Sequence, residues 1–232
     1  MEMGRTTKIA RRCLDRFDQI RISTVLAWFS VIAILWTAML ILEAYPFYFP
    51  PNFETGFLRG RKAYFHGVYA IAFYSHIATT PLALILGLLQ LNLRIRVRWP
   101  AIHRRIGKLY VGIVLICVAP SGLIMALRAP HGYGAISGFA VLSVVTWIAT
   151  MLGWIRAAAG RLDSHRRWMW RSYLLICSAV LLRILAVLAT DLQLTAATAY
   201  PIAAWASWLP SLVIFEVVMR FKRANIKSPS IR

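Results

Sequence analysis

A run of about 20 apolar residues is long enough to cross the hydrocarbon core of a bilayer as a helix. This chain has six such runs, at 23–42, 68–93, 109–127, 135–155, 173–190 and 195–219. The fifth is interrupted by Arg183, and the sixth holds Pro201, Pro210 and Glu216. Backbone groups facing lipid must satisfy their hydrogen bonds within their own segment, so each run reads as a helix. The expected fold class is an all-α polytopic membrane protein with six transmembrane helices. They occupy residues 23–219, between a basic N-tail, 1–22, and a basic C-tail, 220–232. Composition agrees: 59% of the residues are hydrophobic and 15% charged, against roughly half and a quarter in a soluble domain.

The formal charge of +19 would ordinarily raise the question of nucleic acid. Its placement points elsewhere. With six spans the connections alternate sides. One side then carries 22 of the Lys and Arg residues, in the N-tail, the connection after span two, the connection after span four and the C-tail. The other side carries Arg59, Arg61, Lys62 and Arg128. This asymmetry predicts both termini in the cytoplasm. The expected partners are the bilayer and anionic lipid headgroups, not nucleic acid, since no binding module accompanies the charge. The first run starts only after a charged, polar stretch and is long enough to span, so it reads as a retained anchor. Cys13, Cys117 and Cys177 lack the spacing of a disulfide framework or a metal site.

Two basic stretches match. His103, Arg104 and Arg105 correspond to His165, Arg166 and Arg167 at a shift of 62, as Arg94 does to Arg156. Tyr110 and Tyr173 correspond after one inserted residue. Each stretch follows one apolar run and precedes another. The chain therefore reads as a duplicated two-helix hairpin core, about 68–127 and 135–190, its copies related by an axis along the membrane normal. That symmetry would set the two HRR corners on one face.

His76, Gln90, Arg94, His103, Arg104, Gly107, Tyr110, Trp147, the stretch HRRWMWRSY at 165–173 and Arg183 together resemble a family of bacterial membrane proteins, domain of unknown function 2306. The resemblance covers roughly residues 66–190. It implies a helical bundle in a bacterial inner membrane and no established activity.

Candidate chemistry rests on histidine and arginine. His76 lies inside span two, and His103 and His165 sit at the basic corners. Paired imidazoles hold membrane haems, so these three are candidate cofactor ligands, for haem b or for a quinone in a redox role. His66 and His131 fit less well: His131 lies in a Pro-His-Gly turn, and His66 is about 280° around a helix from His76. Arginine suits planar, bidentate contact with phosphate or carboxylate. Arg104, Arg166, Arg171 and Arg183 are therefore candidate ligand-binding residues for an anionic or lipid-like solute. Arg183 stands ten residues into its span, where a charge is costly and marks a site with a partner; His76 lies at a similar depth, with Asp191 as a further neighbour. Glu216 reads as an interface carboxylate. The aromatic, proline-rich stretch 44–67 reads as an interfacial loop or a cover for the bundle mouth. Three functions remain open: a redox protein, a binding protein or transporter for a small anionic or lipid-like molecule, and a non-enzymatic partner in a membrane complex.

Overall fold

The computed structural model describes residues 31–227 apart from 33, 38, 42 and 55, with side chains omitted at 94 and 222–227. The N-tail, the start of the first expected span and the last residues of the C-tail lie outside the described residues. The rest is helical. A shorter apolar helix, Ile34–Phe47 (α1), leads into a strap, residues 48–66, and then into α2, Gly67–Leu91. A short helix α3, Leu93–Arg98, follows, then α4, Pro100–Ala126; α5, Tyr133–Ala158; α6, Leu162–Asp191; and α7, Ala196–Phe221. Five of these, α2 and α4–α7, are long and apolar enough to cross a membrane. Among the described residues there is no β-strand.

Helices α4 and α6 begin well before the expected runs at 109 and 173. Both HRR corners thus belong to first helical turns, not to loops. Hydrophobicity hides this, because the opening turns alternate cations with apolar residues and read as polar on average. Pro100 starts α4 at a position where its missing N–H costs no hydrogen bond. These corners define a basic end of the bundle; the strap covers the other.

Helix α5 packs along α4, α6 and α7, while α2 packs on α4 and on the first half of α6. The main core gathers Leu84 and Leu86 of α2, Tyr110 and Val114 of α4, and Tyr173 and Ile176 of α6, with Ile34 of α1. Glycine permits the closest approach: a Cβ on Gly87 would stand 2.2 Å from Cδ2 of Tyr173 and 3.2 Å from Cε2 of Tyr110. The two tyrosines meet over α2 at that point. A buried hydroxyl chain crosses beside them, with Tyr110 Oη 2.8 Å from Ser172 Oγ and Ser172 Oγ 2.7 Å from Thr150 Oγ1. Thr150 in turn donates to the Thr146 carbonyl at 2.8 Å. Each hydroxyl has one proton, so the chain runs from Tyr110 and ends on a backbone acceptor.

The α5–α7 contact uses small residues. Gly134 lies against Pro201, and Gly138 lies so close to Ala204 that an added Cβ would stand 2.9 Å from it. Four-residue spacing of glycines is the familiar device for bringing two membrane helices together. Large apolar side chains such as Ile71, Ile116, Ile202 and Ile214 are left exposed on the outside of the bundle, as expected where the surroundings are lipid.

Candidate functional site

Proline shapes the strap half of the bundle. Pro81 in α2 has no N–H to give the Ile77 carbonyl. That carbonyl instead accepts the Tyr45 hydroxyl at 2.7 Å, which ties the end of α1 to α2. In α4, Pro120 follows a π-helical turn, Val114–Val118, a local widening common at functional sites. Just beyond it, Ser121 Oγ lies 3.2 Å from the Val118 carbonyl and 3.1 Å from Nδ1 of His76. The helices do not fill the space between them. A chamber of about 630 Å³ remains among α2, α4, α5, α6 and α7, within the range of about 300–1,000 Å³ usual for small-molecule sites.

The chamber wall is mostly apolar, built from residues such as Phe73, Ile77, Leu182 and Ala186, and its polar groups are few. His76 and Arg183 both face it and lie within electrostatic reach of each other. His76 keeps part of its surface open because one side of the ring meets the chamber. Arg183 donates through Nη1 to the Ala179 carbonyl at 2.8 Å. None of the lining residues is Asp or Glu. Asp191, the third expected member of this cluster, is exposed at the end of α6 and does not line the chamber.

The strap closes the mouth, contributing Tyr48, Phe57 and Arg61 to the wall. It is held by stacked and edge-on rings, with Phe57 over Phe73 at 5.6 Å and Tyr48 against Phe73 at 5.1 Å, and by Tyr74 Oη donating to the Tyr48 carbonyl at 3.0 Å. Of the two expectations for 44–67, the cover describes what is found. Arg61 is buried, lies 4.0 Å over the Phe57 ring and donates to the Phe57 carbonyl, while its Nε has no partner among the described residues. Thr80 and Ser207 also line the chamber with buried hydroxyls that have no partner among the described residues. Burial raises the pKa of the Tyr48 phenol, so beside Arg183 it stands as a neutral hydroxyl and not as a counter-ion. Sequence reasoning passed over Arg61. Its one signal was rarity, as one of four cations assigned away from the basic side.

The remaining sequence-predicted residues lie elsewhere. His103 is in the first turn of α4, where Gln90 Nε2 donates to its carbonyl at 2.8 Å. His76 and Gln90 are 14 residues apart on α2, about 21 Å along the axis, so His103 and His76 do not share a site. His165 occupies the first turn of α6, its Nδ1 2.8 Å from the Gly153 carbonyl. The two corner histidines do lie within electrostatic reach of one another. Seven residues along from each, Tyr110 and Ser172 touch, and a seven-residue step returns to nearly the same helix face. Arg104 is exposed, and Arg166 is exposed beside Asp163, to which it is ion-paired. Arg171 makes a two-point ion pair with Glu216 of α7, at 2.5 and 3.0 Å, and stacks over Trp168 at 4.4 Å. The four candidate arginines therefore do not converge; Arg183 alone among them faces the chamber. A haem held by two imidazoles does not fit there, since His76 is the one histidine in the lining. Among the described residues, no group of three metal-ligating side chains occurs.

A family model described as "Predicted membrane protein (DUF2306)" matches residues 73–219, a segment that holds His76, Arg183 and both HRR corners. No curated protein and no solved structure matches the chain.

Proposed function

The chain belongs to the DUF2306 family of predicted membrane proteins, and we propose that it binds an anionic, lipid-like solute within the bilayer, as a binding protein or a transporter. The observation that carries this reading is Arg183, facing a ligand-sized apolar chamber whose lining offers no carboxylate. A cation at membrane depth is expensive without a partner, and a bound anion supplies one. Arg104, Arg166 and the corner histidines belong, in this reading, to a separate basic surface that meets anionic headgroups. Arg171 holds α6 to α7 through Glu216.

The setting is the bacterial inner membrane, with six spans, a duplicated hairpin core and both termini in the cytoplasm. The charge asymmetry supports that orientation, and the matched HRR corners support the duplication. The rival reading is a redox protein carrying haem b or a quinone. The test is native mass spectrometry and an absorption spectrum of the full chain after gentle extraction. We expect a colourless protein carrying an amphiphilic small molecule, lost when Ala186→Phe fills the chamber. A Soret band in fresh protein would replace this reading with the haem one.

A further inference from the structure

We propose that the solute is a long-chain monocarboxylic acid, its carboxylate held by the free edge of Arg183 and its chain lying along the apolar wall of the chamber. The inference rests on the reading above and names the ligand class. The first argument is geometric. A guanidinium has five N–H donors in a rigid fork. Nη1 of Arg183 is engaged by the Ala179 carbonyl; the edge formed by Nε and Nη2 has no partner among the described residues. Two parallel donors match the two oxygens of one carboxylate.

The second argument is charge balance. Arg183 lies eight residues from the end of α6, about 12 Å along the axis. The lining holds no Asp or Glu, and Tyr48 is neutral. One negative charge neutralises Arg183 itself, the cation that the span carries to membrane depth. A phosphate monoester near its dianionic form would need a second cation beside Arg183. The other cation in the lining, Arg61, is engaged at the mouth by the Phe57 ring and the Phe57 carbonyl, and hexadecyl phosphate is the probe that reads whether it takes part.

The third argument is shape. The apolar part of the wall includes Ile77, Pro81, Leu182, Leu185 and Ala186, which suits an alkyl chain. The 630 Å³ volume is that of a single drug-sized guest, enough for one chain.

The test measures saturable binding of radiolabelled palmitate to the full-length chain in nanodiscs of zwitterionic lipid. Hexadecanol, hexadecyl phosphate and acetate serve as competitors. We expect palmitate to bind, the alcohol and the phosphate to compete about tenfold less well or worse, and acetate not to compete, since losing one partner of a desolvated ion pair costs more than the roughly 1.4 kcal/mol of a tenfold change. Arg183→Met should remove palmitate binding and spare hexadecanol, with Arg183→Lys intermediate. Melting curves verify that the variants fold; should Arg183→Met not fold, the competitor series on the native chain decides. Equal binding of the alcohol, or preference for the phosphate, overturns the acid while the lipid-like solute stands. If no chain-bearing probe binds, or Ala186→Phe leaves binding intact, both readings fall.

Discussion

Two glycines show how much a single methyl group weighs in this bundle. At Gly87 the obstacle to a Cβ is the ring of Tyr173, which is 5% exposed and donates its hydroxyl to the Leu84 carbonyl at 3.2 Å. At Gly153 the obstacle is Sδ of Met169 at 2.5 Å, the end of a flexible side chain. Gly87→Ala should therefore cost about 1–3 kcal/mol by overpacking, and Gly153→Ala much less, as read by thermal or denaturant unfolding in detergent. Ser172→Val removes the middle of the Tyr110–Ser172–Thr150 chain and strands a buried phenol. The expected loss is about 1 kcal/mol, since membrane hydrogen bonds are individually modest. Arg183 was legible in the sequence because a lone cation in an apolar run has few explanations. Tyr110 and Ser172 were legible only as members of a motif. Their contact joins residues 62 apart in the chain, and nothing in either residue announces which neighbour it will meet.

Helices α2 and α6 illustrate what apolar runs do and do not encode. The centres of all five described spans were readable, because membrane length and hydrophobicity fix them. The early starts of α4 and α6 were not, because their opening turns alternate cations with apolar residues. The proline at 81 stands in the sequence, but the partner of the carbonyl it frees does not: Tyr45 comes from another element. Pro81→Ala should return an N–H to the Ile77 carbonyl and compete with the Tyr45 hydroxyl. Hydrogen exchange in residues 48–66 should then rise, and Tyr45→Phe should do the same. Helix α7 is held by its glycine contact with α5 and by the Arg171–Glu216 pair. Glu216 is more than a third exposed, so Glu216→Gln should cost only about 1 kcal/mol. The double change Arg171→Met with Glu216→Leu should recover most of it, which a double-mutant cycle would measure.

At the scale of the whole molecule the sequence reading was sound on an all-helical bundle and on five of its spans, and incomplete on the chamber. A cavity belongs to no residue; it arises from how helices fail to meet, and only His76, Arg183 and the strap hinted at its place. The proposed orientation is open to direct test. Cysteines placed at 104 and 166 should both react with an impermeant thiol reagent from the cytoplasmic side, and opposite-side reactivity would break the paired arrangement of the corners. The prolines add a mechanical consequence. Pro120 and Pro201 lie in the strap half and Pro81 near the middle of α2, whereas Gly87, Tyr110, Thr150, Ser172 and Tyr173 interlock nearer the basic end. The interlocked side chains form the calyx of the bundle, and the helical turns that lack a ladder hydrogen bond at proline stand like petals above it. On the proposed reading a guest enters and leaves among those petals, and the charged base need not stir while that happens.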